Sequence, residues 1–485
     1  MSVALSRREA LSVPDGIAVP RYDIRAVKPG IVHIGIGGFH RSHMARCTHD
    51  LMEADPSALA WGIIGSGLRE SDRPLLQALN EQGGLYTLVE RDGYGEHAAV
   101  IGSIVSVIDA SQSSDALLDA IAQPNSHIVS ITVSEAGYLL DTTTKKLDLT
   151  HPAIRHDIAN PAMPRTMPGI LVAAFRARRD RGLPAFTALS CDNIQHNGRV
   201  LREAVLRLAA QTDESLAAWI DAHARLPNSM VDRITPIPAT SDINAFRDKT
   251  GLDDKAPVFS EAFKQWVIED DFADSRPDWS RVGAQFVADV APYEAMKLRL
   301  LNTSHLAISG LGALSGYVTV EETINDPNIR KYMRRLMDEE TGRLLAPVPG
   351  IDLNVYKATL IERFANPAIR DTVKRINTDA PINLLLDPLR DALSRGSPIE
   401  LLSLGLAAWC LRTCHEAAAG EKITGVNASD ELQQCAAASA DNPLHLLSLK
   451  SLFGDLASND ALMRSAGDWS HATQKDGVAA VLKGI

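Results

Sequence analysis

The segment Glu294-Ala-Met-Lys297-Leu-Arg-Leu-Leu-Asn302-Thr-Ser-His305 sets four chemically capable side chains among leucines. On a helix at about 100° per residue, with Lys297 at 0°, Glu294 falls near roughly 60°, His305 near 80° and Asn302 near 140°. One face then carries a candidate general base, a carboxylate, an imidazole and an amide. Leu298, Leu300, Leu301 and Leu306 make the same helix largely buried. Polar groups in such surroundings are expensive unless they bond each other or a ligand. A solvated face, or a first turn capped by Glu294, is the alternative.

Two further polar clusters stand out. Ser190-Cys191-Asp192-Asn193-Ile194-Gln195-His196-Asn197-Gly198 follows a strand-like run, and strand ends in a doubly wound sheet are where ligand-facing residues belong. The same Asn and Asp residues would also cap a helix starting near Gly198. Asp232-Arg233-Ile234-Thr235-Pro236 is a third polar loop, equally open to either reading.

Gly35-Ile36-Gly37-Gly38-Phe39-His40 ends a β-branched run and opens a helix. In that context G-x-G lets backbone approach a pyrophosphate, and the helix start supplies N–H donors. His40 replaces the third glycine, and a plain strand-to-helix turn would use the other glycines equally well. Glu70 and Asp72 follow Gly65-Ser66-Gly67, in the loop after the second strand. A carboxylate there accepts bonds from ribose hydroxyls and repels a 2′-phosphate, favouring NAD over NADP. Arg69 pulls the other way, and both acids also suit a solvated loop.

The elements that must hold these residues fall into two styles. Ile31–Ile36, Ala60–Ile64, Ala99–Val107, His127–Val133 and Phe186–Ser190 read as strands. Helical spacing over His43–Ala54, Ala116–Ala122 and Gly198–Ala210 alternates with them. That alternation predicts an α/β domain with a mostly parallel, doubly wound sheet and helices on both faces. The segment up to Gly30 reads as an irregular arm. Beyond Tyr293 the chain is almost all helical: Met296–Leu311, Ile329–Leu345, Leu353–Phe364, Leu401–Ala419 and Ala428–Ala438. The boundary is placed near residue 290, giving domains 1–290 and 291–485.

Composition removes whole classes of function. At 485 residues the chain exceeds one ordinary core, and 45% hydrophobic with 22% charged residues is ordinary for a globular protein. A net charge of −11 argues against nucleic acid as a partner. The apolar stretches His305–Val320 and Leu401–Leu411 fall short of the roughly 20 residues a membrane span requires. Near the start, Arg7, Arg8 and Glu9 precede no apolar run with a cleavage site. Cys47, Cys191, Cys410, Cys414 and Cys435 are scattered and odd in number, as expected of reduced thiols in a cytoplasmic protein. His40 and His43 lack a third ligand group, so no metal site is expected. Cys410, Cys414 and His415 are expected to pack the apolar face of their helix.

Four segments together resemble the mannitol dehydrogenase family, the long-chain polyol-specific dehydrogenases: Gly35–His43, Ser190–Asn193, Val231–Pro236 and, most specifically, Lys297–His305. The resemblance implies a Rossmann-type first domain, a helical second domain, an active site in the cleft between them, and hydride transfer to NAD without zinc. It makes Lys297 the general base, with Asn193 and Asn302 holding the reacting oxygen. His305 and Asp232 orient the lysine and the substrate hydroxyls, and Glu294 gates proton exchange with water. Gly35, Gly37, Gly38, Phe39, Arg41, Glu70, Asp72 and Glu135 are expected at the cofactor, and Arg375 and Asn383 at the substrate. A lysine accepts a carbinol proton near neutral pH only when desolvation brings its pKa down to about 7–8.

Two departures bear on the substrate. The family's D-G-S-x-K-type segment here reads Arg375-Ile-Asn-Thr-Asp379-Ala-Pro-Ile-Asn383, with Asn383 where the lysine would fall. The T-E-K-G-Y-like segment reads Ser134-Glu135-Ala136-Gly137-Tyr138. Expected is a polyol 2-dehydrogenase, D-mannitol to D-fructose first, with D-arabinitol, another polyol or a hexuronate behind it. A nucleotide-sensing protein without turnover is the alternative of another class, though a sensor needs none of Lys297, Asn302, His305 and Asn193. The family's members are often monomers, which makes a single chain the expectation.

Overall fold

The computed structural model describes residues 3–7, 13–93, 95–141 and 144–485. Arg8 and Glu9, used above to judge the start of the chain, lie outside the described residues. The chain divides into two compact units, Met1–Val290 and Ala291–Ile485.

The first unit is built on five parallel strands: β1 (Pro29–Ile34), β2 (Gly62–Gly67), β3 (Ile104–Asp109), β4 (Ile128–Ile131) and β5 (Thr187–Ser190). Their order is 3-2-1-4-5. The order reverses between β1 and β4, the switch point beside which open α/β sheets bind ligands. Side chains alternate across the sheet. Ile31, Ile63 and Ile128 face a core that includes Met44, Leu51 and Met52 of α2 (Met44–Ala54), which follows the short α1 (Gly38–Ser42). Val32, Ile34, Val129 and Ile131 face the other core, with Ile170, Leu171 and Phe175 of α3 (Met167–Asp180) and Leu201 and Val205 of α4 (Asn197–Thr212). Burying each such side chain contributes roughly 1.5–3 kcal/mol, so the doubly wound arrangement follows from near-continuous apolar strands.

Among the described residues, three smaller sheets accompany this one. Ser229–Asp232 pairs antiparallel with Gln265–Glu269, placing Asp232 at a strand end opposite Gln265. The predicted strand Ala99–Val107 is two strands, Gly95–Ile101 in a four-stranded sheet and β3 in the central one. The chain changes sheets at Gly102, where a Cβ would lie 3.0 Å from Ile24 and 3.1 Å from the Tyr22 hydroxyl. The arm before Gly30 is not wholly irregular either. Val3–Ala4 pairs with Leu252–Asp253 and Ile17–Ala18 with Ala98–Ala99, each satisfying sheet-edge backbone groups.

The second unit is helical. Instead of one helix over Met296–Leu311, the chain runs from α5 (Ala291–Met296) through a π-helical stretch, Lys297–Asn302, into α6 (Thr303–Leu314). The Thr303 hydroxyl lies 2.9 Å from Leu298 O, five residues back, and 2.7 Å from Leu384 O, its one proton shared between the two carbonyls. A side chain acting on the helical ladder in this way is a known cause of its distortion. Likewise, the predicted helix Ile329–Leu345 is an α-helix to Arg335, a π stretch Leu336–Glu340 and a 3₁₀ turn, and Thr341 donates to Leu336 O. Residues 303–312 of α6 are all buried, as are 401–414 of α7 (Glu400–Ala418). A Cβ on Gly405 of α7 would lie 3.2 Å from the Ala307 Cβ of α6 and 3.0 Å from the Tyr332 hydroxyl, so glycine allows these two helices to approach closely. Among the described residues, no helix is long and apolar enough to cross a membrane.

Candidate active site

In the first unit the glycine turn lies where β1 ends. Gly35 takes φ +99°, and a Cβ there would come within 2.0 Å of Thr132 O. Only glycine meets both demands. Around Gly37 a Cβ would meet nothing nearer than Gly35 O at 4.0 Å, so this edge of the turn is open. The first backbone bond into α1 runs from Arg41 N–H to Gly37 O. The N–H groups of Gly38, Phe39 and His40 therefore precede the helical ladder, as donors at a helix start do. These features suit a pyrophosphate laid across the turn.

The residues assigned to the cofactor differ in placement. Phe39 is half-buried and stacks on His43, with ring centroids 5.0 Å apart. Arg41 is buried, donates to Ala256 O and lies over the Tyr86 ring, so its guanidinium is used inside the unit. Glu70 is exposed and accepts from Gln112 at 2.6 Å. Asp72 accepts from the Arg69 backbone at 3.1 Å and its guanidinium at 2.8 Å, closing a capping box. Glu135 is exposed, 3.8 Å from Lys145.

Two interlocks that the sequence does not reveal hold this end of the sheet. Arg233, buried beside Asp232, donates to Ser42 O and Glu261 O and pairs with Glu90. The Ser42 and Thr235 hydroxyls bond at 2.8 Å. The glycine-turn segment and the Val231–Pro236 segment are thus one assembly. His33 and His40 stack beneath it at 3.4 Å, and burial holds the His33 imidazole well below its usual range, down to about 3. His43 meets Gln265 O at 3.0 Å. Among the described residues, no group of three His, Cys, Asp or Glu side chains has metal-holding geometry.

The second interlock surrounds Asn193, which is exposed just past β5. Its neighbour Asp192 is buried and accepts from Ser134 N–H at 2.7 Å and the Tyr138 hydroxyl at 2.9 Å. Ser134 has φ 64° and ψ 169°, a conformation almost confined to glycine that costs about 1–3 kcal/mol. Asn197, first in α4, donates to Asp192 O and Ser229 O and accepts from Ser229 N–H. Asn193 and Asp232 therefore stand on elements tied through one side chain.

In the second unit Glu294, Lys297 and His305 are buried, at 5%, 8% and 8% exposure. The π stretch alters the 100° wheel. Its i→i+5 bonding adds about one residue per turn, which turns Asn302, five residues on, back toward the Lys297 face. His305 stacks on Phe364, with centroids 4.4 Å apart. Arg375 is paired to Asp371 at 2.5 Å and Asp379 at 3.5 Å, and exposed Asn383 opens the next helix.

Comparison with known proteins agrees with both units. Residues 29–281 match the mannitol dehydrogenase Rossmann domain and residues 289–471 the mannitol dehydrogenase C-terminal domain. The D-mannonate oxidoreductase of Escherichia coli is 41% identical over 447 residues, covering 90% of this chain and 92% of that one. The mannitol 2-dehydrogenase of Pyricularia oryzae is 39% identical over 476 residues, 96% of this chain and 95% of that one. A Pseudomonas fluorescens mannitol 2-dehydrogenase, solved as a ternary complex with NAD and D-mannitol, is 38% identical and superimposes with a TM-score of 0.88, covering 99% of each chain. With a Rossmann-type first unit, a helical second unit and both family domains matched in order, the chain belongs to the mannitol dehydrogenase family.

Proposed function

We propose that this chain is an NAD-dependent oxidoreductase that interconverts a sugar alcohol and its ketose without a metal ion, D-mannitol and D-fructose being the first pair to test. What carries the reading is Lys297: a buried lysine at the head of a π-helical turn whose last residue is Asn302. π stretches inside α-helices occur frequently at functional sites. Burial favours the neutral amine, the form that takes a proton from a carbinol.

In oxidation Lys297 removes the hydroxyl proton, while the Asn193 and Asn302 amides donate to the oxygen as charge develops on it. Such donors act mainly near the transition state. Glu294, three residues before Lys297, passes the proton to water, and His305 and Asp232 hold the lysine and the substrate hydroxyls in place. NAD, bound along the glycine turn, supplies the hydride acceptor. In reduction, protonated Lys297 returns the proton to the carbonyl oxygen.

The 41% identity to a D-mannonate oxidoreductase supports a second reading, an acid sugar substrate. A carboxylate substrate wants a cation, yet Arg375 is already paired with two aspartates and Asn383 is neutral. The polyol reading is therefore preferred. Purified protein with NAD should generate NADH absorbance with mannitol, sorbitol or arabinitol, and a chelator should leave the rate intact. Turnover of mannonate alone would establish the second reading. NADH binding without turnover of any of these would point to a sensor.

A further inference from the structure

Asp192 has no part in the roles above, yet two donors converge on its carboxylate: the Ser134 N–H at 2.7 Å and the Tyr138 hydroxyl at 2.9 Å. The bonds close into a ring. The Asp192 N–H lies 3.3 Å from Ser190 Oγ, that hydroxyl lies 2.6 Å from Tyr138 Oη, and Tyr138 donates back to Asp192. Every member is buried. The carboxylate faces the turn after β4, not the first turn of α4, so helix capping does not account for it.

Local strain points the same way. Ser134 adopts its glycine-like conformation while donating to Asp192, and a Cβ on Gly137 would come within 2.6 Å of Val133. The Ser134–Tyr138 turn is thus tightly determined and bound to the residue directly before Asn193. We propose that Asp192 is a positioning residue: by clamping the end of β5 to the Ser134–Tyr138 turn, it fixes where Asn193 presents its amide. This rests on the reading of Asn193 as a group that holds the reacting oxygen. Burial pushes the Asp192 carboxyl up to about 6, still below neutral, so at about pH 7 the carboxylate that meets these donors is predominantly, not wholly, ionised.

The test is a double-mutant cycle on the full chain, with Asp192→Asn, Asn193→Ala and both together. Melting temperature, NADH affinity and kcat are measured for each. Misplacement of a reacting group costs up to about 100-fold in rate, so Asp192→Asn alone should lower kcat by roughly 10- to 100-fold. On the Asn193→Ala background the same change should lower kcat little further, because interacting residues are not additive. Tyr138→Phe removes one donor and opens the hydrogen-bonded ring while keeping the aromatic side chain, and should show the same non-additivity; it carries the cycle if Asp192→Asn does not fold. A lower melting temperature with unchanged kcat, or losses that add in full, would overturn the proposal alone. Normal kcat in Asn193→Ala would overturn the reading of Asn193 and the proposal with it.

Discussion

Arg69 and Asp72 hold each other: the Asp72 carboxylate takes both the backbone N–H and the guanidinium of Arg69, the latter at 2.8 Å. The arginine that could welcome a 2′-phosphate is thereby engaged, through a largely exposed pair, beside Glu70 in the loop after β2. At this exposed position a phosphate beside such a carboxylate costs on the order of 1–2 kcal/mol. NAD should exceed NADP by about tenfold in kcat/KM. Asp72→Ala, with Glu70 also made neutral, should free Arg69, raise NADP use and weaken NAD. Equal use of both cofactors by the unmodified protein would refute this placement.

Lys297→Ala should lower turnover by roughly 10²–10⁴-fold, the usual contribution of a general base. NADH affinity should stay near that of the unmodified protein, because the glycine turn belongs to the first unit. Added primary amines should restore part of the rate. Near-normal kcat in the variant removes Lys297 from this role.

Asn193→Ala and Asn302→Ala should each lower kcat by roughly 100-fold or more, the effect of losing one donor to a developing oxyanion. The substrate KM should change far less, since the charged oxygen exists mainly near the transition state. A change in KM alone would make either residue a ground-state contact.

Stability should carry a pH signature from Glu340, which accepts the N–H groups of Leu401 and Leu402 at 2.7 and 2.8 Å. Burial pushes its carboxyl up to about 7, so the folded chain keeps a proton that the unfolded chain releases near pH 4. The contribution is complete below that pH and is lost as pH rises through about 7, a change of up to about 3 kcal/mol. Glu340→Gln lacks this loss. Its melting temperature should therefore gain on that of the unmodified protein between about pH 5 and 8. A constant difference would show that Glu340 titrates normally.

The strand, glycine turn and helix around Gly35 are legible in the sequence because each rests on local patterning: β-branched residues, then glycines, then helical spacing. The parallel order of the sheet follows from alternation of strands and helices. What the pattern conceals is set by distant side chains. The π stretch at Lys297–Asn302 accompanies a Thr303 hydroxyl that bonds Leu298 O and Leu384 O, and no helical wheel registers that. Tyr138 and Asp192 lie 54 positions apart, and the buried bond between them leaves no periodic trace. The strand over Ala99–Val107 misread a continuous apolar run because Gly102 lets the chain leave one sheet for another.

The Arg41–Ala256 bond spans 215 positions, and Ser42 waits for Arg233 and Thr235 in the same manner. At about 5–20 residues per second on the ribosome, the glycine turn emerges roughly 10–40 s before the residues that brace it. During that interval the nascent nucleotide cradle has its strand and its glycines but not its braces. Fragments ending ahead of Ala256 should therefore fail to retain NADH even though they contain every residue assigned to the glycine turn.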